Sequence, residues 1–173
     1  MNPASAVRNS LLALILALCA GAAGAQATFD VNGVKLGDKE EAIKKAFPSV
    51  RCKPLEWKSD AADRRCDDAK IAFVAIEARV TFYLKADAVQ GFDLRFDQQH
   101  VSTVAEYLKK RWGKPFSEGR DTIVRKDKEP RESYKVLWEQ GRDRALLSSL
   151  STAKRANLTV SRGNFEEEIY RIR

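Results

Sequence analysis

Between positions 89 and 96, Phe92, Leu94 and Phe96 alternate with Asp93 and Arg95. This two-residue period predicts an antiparallel strand with one buried face. Similar but weaker patterns predict strands near 70–75, 78–84, 121–126, 132–139, 144–150 and 156–162. Two stretches change to a helical period. In the first, Asp38 and Glu41 have the spacing of a capping box, Ala42, Ile43, Ala46 and Phe47 share one face, and Pro48 stops the run. In the second, Val101, Val104, Leu108 and Trp112 form the stripe, Asp97 and Ser102 are the candidate caps, and Gly113 and Pro115 end it. The 22 residues after Pro48 read as a loop, and Thr28–Val31 as a short strand-like stretch. A short final helix is expected over 164–171, capped by Asn164 and Glu167.

The two helical stretches align at an offset of 65 residues, Ile43–Phe47 on Leu108–Trp112. Phe92 and Leu94 fall on Leu158 and Val160 at an offset of 66. The expected fold class is therefore α+β: two tandem helix-plus-antiparallel-strands repeats, about 33–96 and 97–162, sharing one sheet with the helices on one face. The helix-facing set is Val80, Phe82, Leu84, Phe92, Leu94, Phe96, Val136, Trp138, Leu147, Leu158 and Val160. The opposite face would display Arg79, Thr81, Tyr83, Asp93, Arg95, Lys135, Leu137, Arg144 and Leu146.

The first 25 residues stand outside this scheme. Arg8 precedes an apolar run from Leu11 to Ala20, and Ala23-Gly24-Ala25 supplies small residues, the layout of a secretory signal cleaved after Ala25. The apolar stretch is shorter than the roughly 20 residues that span a bilayer. Residues 26–173 are then one exported domain, expected in the periplasm. Two of the three cysteines remain, Cys52 and Cys66, and in an oxidising compartment an even pair reads as a structural disulfide. The formal charge of +7 resides mainly in the second half, where residues 101–173 carry 17 basic and 11 acidic side chains. Acids are interspersed throughout, and export removes nucleic acid as a natural partner.

A helix with a Gly- or Pro-marked stop and then three strands, stated twice in an exported chain with a disulfide after the first helix, resembles the β-lactamase-inhibitor-protein fold. A single unit is similar to the small outer-membrane-assembly lipoprotein family BamE (SmpA/OmlA). The residues concerned are Leu36-Gly37-Asp38 with Phe47-Pro48, and Tyr107-Leu108 with Gly113-Lys114-Pro115. The outline covers most of the exported chain. The lipoprotein resemblance implies an outer-membrane-associated assembly or structural role with lipid on Cys19, although Leu18 stands where such signals place Gly or Ala.

Candidate chemistry is sparse. His100, the single histidine, has Gln98 and Gln99 beside it and no orienting carboxylate in its motif. Asp60, Asp63, Asp67 and Asp68 lack the alternating ligands and turn glycine of a calcium loop, and Arg64 and Arg65 sit among them. No catalytic residue, metal site or cofactor is assigned. The expected role is a non-catalytic periplasmic module that binds another envelope protein. The alternative is the outer-membrane-associated assembly or structural lipoprotein. Trp57, Arg79, Tyr83 and Arg95 are the partner-binding candidates, since aromatic and Arg side chains anchor interfaces. The competing reading of Trp57 folds it onto the core beneath its loop.

Overall fold

The computed structural model describes residues 28–124 and 129–169, so the first 27 residues with Cys19, the end of the strand expected over 121–126 and the end of the helix expected over 164–171 lie outside the described residues. A small hairpin comes first, β1 (Asp30–Val31) with β2 (Val34–Lys35). Its turn residues Asn32 and Gly33 both have positive φ, 49° and 89°. Next come α1 (Glu40–Ala46), β3 (Arg51–Pro54), β4 (Arg64–Phe73), β5 (Ile76–Lys85) and β6 (Ala88–Asp97). One 3-10 turn (Gln98–His100) leads into α2 (Val101–Trp112). Then follow β7 (Ser117–Ile123), β8 (Arg131–Gln140), β9 (Asp143–Leu150), β10 (Arg155–Arg162) and α3 (Phe165–Glu168).

The expected fold class is corrected by this topology. The molecule is one eight-stranded antiparallel sheet, ordered β3-β4-β5-β6-β10-β9-β8-β7, plus the two-stranded hairpin, and not a tandem helix-plus-strand repeat. Helix is a minor component, about 19% of the described residues. The two longer helices are unequal, 7 and 12 residues. The matched segments Ile43–Phe47 and Leu108–Trp112 share what any two amphipathic helices share, an apolar stripe beside lysines. The sheet joins the two strands antiparallel, pairing Leu94 with Leu158 and Phe92 with Val160.

All eleven residues of the expected helix-facing set are buried. One row crosses the sheet as Cys66, Phe82, Phe92, Val160, Ala145 and Trp138, and cross-strand neighbours in a row share a face. Phe47 packs on Phe82 with ring centroids 5.4 Å apart, and Trp112 packs edge-on to Trp138 at 5.6 Å. The β1–β2 hairpin is tied to the same layer by Asp30. Its carboxylate accepts from Arg111 Nε at 3.0 Å and Nη2 at 2.7 Å, and from the Gly33 N–H at 2.9 Å.

Several local expectations change. The stretch read as a loop contains β3 and the first six residues of β4, because Cys52 faces Cys66 across an antiparallel pair and their disulfide closes the ladder. The run Arg64-Arg65-Cys66-Asp67-Asp68 hides this strand, since its charges mask the apolar alternation. β7 begins four residues earlier than expected and is exposed along its length. Asp38 does not cap α1; its carboxylate accepts from the Lys35 N–H at 3.0 Å, and Lys39 occupies the cap position without a side-chain bond. Asp97 caps the 3-10 turn rather than α2, accepting from the Gln99 N–H at 3.0 Å, and His100 occupies the cap position of α2 without a side-chain bond. Asn164 stands at the start of α3 without a side-chain cap.

Candidate functional site: a cationic hollow on the second sheet face

The face away from α1 and α2 is only partly open. Over it lie α3 and the 55–62 segment, whose Ala61 and Ala62 join Tyr83, Phe165 and Ile169 in a second apolar cluster flanked by Leu55 and Trp57. Gly91 makes this closure possible. A Cβ on Gly91 would lie 2.6 Å from Phe165 Cε1, so the ring rests on the backbone of β6. Trp57 Nε1 donates to the Ile169 carbonyl at 2.7 Å, and Ser59 Oγ donates to the Glu168 carbonyl at 3.3 Å. The disulfide-bounded loop and the C-terminal turn thereby hold each other.

Beside this lid is a hollow of about 330 Å³, and Trp57, Arg79, Tyr83 and Arg95 all line it, with Arg65, Asp67, Thr81 and Asp93. The four residues singled out in the sequence are therefore brought together, from a loop, β5 and β6. Tyr83 is not displayed as expected, and Trp57 follows the reading that folds it down beneath its loop. Tyr83 is buried, 6% exposed, with its ring 5.4 Å from Phe165, and Trp57 is half-buried against the second cluster. Arg79 and Arg95 are exposed.

The floor of the hollow is polar and internally bonded. One row runs Asp67, Thr81, Asp93, Thr159 across β4, β5, β6 and β10. Thr81 Oγ1 donates to Asp67 Oδ1 and Thr159 Oγ1 donates to Asp93 Oδ1, each at 2.8 Å. Arg65 Nε donates to the second Asp67 oxygen at 2.9 Å. Burial pushes the Asp93 carboxyl above the ordinary aspartate value, opposed by the Thr159 hydrogen bond and the Arg95 charge. The sequence analysis placed Thr81 and Asp93 on this face. It missed Arg65 and Asp67, because their strand was read as loop.

The next row places two positive charges opposite each other, Arg79 across from Arg95. Like charges in direct cross-strand register destabilise a sheet. Among the described residues no ion pair involves either guanidinium, although surface pairs such as Lys70–Glu77 and Arg144–Glu139 form nearby on the sheet. Arg155 lines an adjoining depression with both of them. Three arginines from β5, β6 and β10 thus gather in the depression beside the hollow, where Glu77 also lies. The sequence pattern carried no signal for Arg155, which is adjacent to them only because β10 inserts beside β6.

The other candidates disperse. His100 ends the 3-10 turn, with its Nε2 3.3 Å from Gln99 Nε2, and it does not line the hollow. Asp67 and Asp68 point to opposite faces of β4; Asp68 is buried and accepts from Ser49 Oγ at 2.6 Å. Asp63 accepts from the Ala86 N–H at 3.0 Å. Glu40, Cys52 and Cys66 come together, but the two sulfurs are bonded to each other and Glu40 is engaged by Lys44 at 2.6 Å and Arg64 at 2.8 Å. Among the described residues no helix is long and apolar enough to cross a membrane. No protein-family model, curated protein or solved structure matches this chain, so the site's chemistry rests on its own geometry.

Proposed function

We propose that the chain is an exported, non-catalytic binding module that docks a partner protein of the cell envelope through the hollow on the second sheet face. The carrying observation is the opposed pair Arg79 and Arg95, which have no ion-pair partner among the described residues and stand beside a half-buried indole. Two guanidiniums in destabilising register gain most from carboxylates brought by a partner. Trp57 and the rim of the second cluster add apolar contact next to that charge, a combination common at interface anchors. The N-terminal sequence pattern and the Cys52–Cys66 disulfide support export to the periplasm.

The test compares capture from an envelope extract by the wild-type chain and by Arg79→Glu plus Arg95→Glu. Reversing both charges is expected to lower retention of the specific partner by about a hundredfold, taking about 1–2 kcal/mol for each charged contact. Thermal unfolding of both proteins confirms that the fold is retained. Undiminished capture by the folded double variant sinks this reading.

A further inference from the structure

The two edges of the eight-stranded sheet are treated very differently. β3 has four residues, includes Lys53 and Pro54, and is clipped to its neighbour by the disulfide. Short length, Lys and Pro are the usual means of making an edge unreceptive. β7 has seven residues, every one exposed, and among the described residues nothing pairs with its outer backbone edge. It is also flanked by Phe116 and Val124, 73% and 72% exposed, and ends on Ile123. Among the described residues these three are the exposed large hydrophobics, and all lie within or directly beside this one element.

The charges on β7 select a partner. In a continuous antiparallel sheet made by a twofold axis through the edge, residue pairs must share a face, so the register centre falls on a residue. A centre on Glu118, Arg120 or Asp121 sets that charge against its own copy, which is unfavourable. A centre on Gly119 sets Glu118 against Arg120 of the second copy, twice by symmetry. The same register puts Phe116 diagonal to Val124 of the second copy on one face, within reach of an aromatic side chain. Glu118 is pre-positioned by Lys109 Nζ at 3.0 Å and the Tyr134 hydroxyl at 2.5 Å, both donating to Oε1, and among the described residues nothing donates to Oε2. Arg120 stacks over the Tyr134 ring with its guanidinium carbon 4.7 Å from the centroid.

We infer that β7 is a self-association edge, pairing antiparallel with β7 of a second copy of this chain in the register centred on Gly119. This strand-on-strand contact is smaller than the standard protein interface, so the dimer is weak and forms at high concentration. It is remote from the hollow, because β10, β9 and β8 lie between β6 and β7.

Sedimentation of the chain over a wide concentration range reads the dimer directly. The wild type is expected to dimerise reversibly, and Arg120→Glu is expected to raise the dissociation constant by at least about tenfold. Arg120→Glu mixed with Glu118→Arg should restore a heterodimer, because each repulsive pair then becomes complementary. Glu118 also supports the monomer, so a second measurement avoids it. In the exported chain from Gln26 onward, where Cys52 and Cys66 are bonded to each other, Gly119→Cys should form an intermolecular disulfide on mild oxidation, and Asp121→Cys should not. A monomer at every concentration, a dimer indifferent to Arg120→Glu, cross-linking through position 121 in preference to 119, or an edge that takes only unrelated extended peptides would each overturn the inference.

Discussion

Asp93 shows how one side chain can lie between structural and functional demands. It is on the open side of β6, yet α3 and the surrounding strands take it partly out of water, and Thr159 and Tyr83 satisfy it by hydrogen bonds. Burial is the largest influence and raises its pKa, so the folded chain holds this proton more tightly than the unfolded chain does. The contribution to stability is then fully present below the unfolded value and is lost as pH rises through the folded one. Asp93→Asn keeps the acceptor for Thr159 and removes the titration. Urea unfolding is expected to show this variant equal to the wild type, or up to about 1 kcal/mol more stable, at neutral pH, with the advantage gone in acid. A marked loss at neutral pH would mean that the carboxylate charge is needed by the arginines. Glu118 runs the other way. Hydrogen bonds from Tyr134 and Lys109 hold its carboxyl below the ordinary glutamate value, so its contribution is lost as pH falls. Burial and that same bond push Tyr134 up to about 12. The identities of Arg79, Tyr83 and Arg95 as face residues were legible from alternation alone, but the burial of Tyr83 was not, because the covering residues Phe165 and Ile169 are distant in sequence.

The element most dependent on covalent help is β3. It pairs with β4 alone, over four residues, and only Cys52 of the four is not exposed. Removing the cross-link by Cys52→Ser with Cys66→Ser is expected to lower unfolding free energy by about 3 kcal/mol for a loop of this length, and to speed amide exchange over 51–54. Unchanged exchange there would show that the strand persists without its bond. Pairing of the two cysteines could be read from their even number once the first 25 residues are taken as an export signal. That they form a strand pair could not, since the short run Arg51-Cys52-Lys53-Pro54 carries no periodic signal. The tight turns were equally silent. Val74 and Ala75, and then Ala86 and Asp87, take positive φ in the two-residue connections β4–β5 and β5–β6, where the usual Asn-Gly signal is absent. Long flanking ladders impose the geometry that the residues themselves disfavour.

The whole sheet is joined at β6 and β10, where seven residue pairs from Gly91–Ser161 to Asp97–Arg155 link its two ends. Leu94 and Leu158 face each other at the middle of that seam, and both are fully buried. Leu94→Ala is expected to cost about 2–5 kcal/mol. Trp57 fluorescence, far-UV circular dichroism and exchange across β7–β9 should report one shared transition. Separate transitions for the two ends of the sheet would show that the seam does not couple them. The same continuity places the hollow and the β7 edge on one rigid support, several strands apart. A variant at one is therefore expected to leave the other intact.

What the amino-acid order determined by itself was local and periodic. It marked the strands from 78 onward, the second helix, the helix-facing core set and the cysteine pairing, because alternation, stripe spacing and parity depend on near neighbours in the chain. What only the tertiary structure decided was which distant segments meet. The insertion of β10 beside β6 placed Arg155 with Arg79 and Arg95, and the return of α3 over Gly91 covered Tyr83 and trapped Trp57. The sheet order also left β7 as an open edge. Hydrogen-bonded ladders and buried contacts between residues tens of positions apart set those outcomes, and no local spacing encodes them.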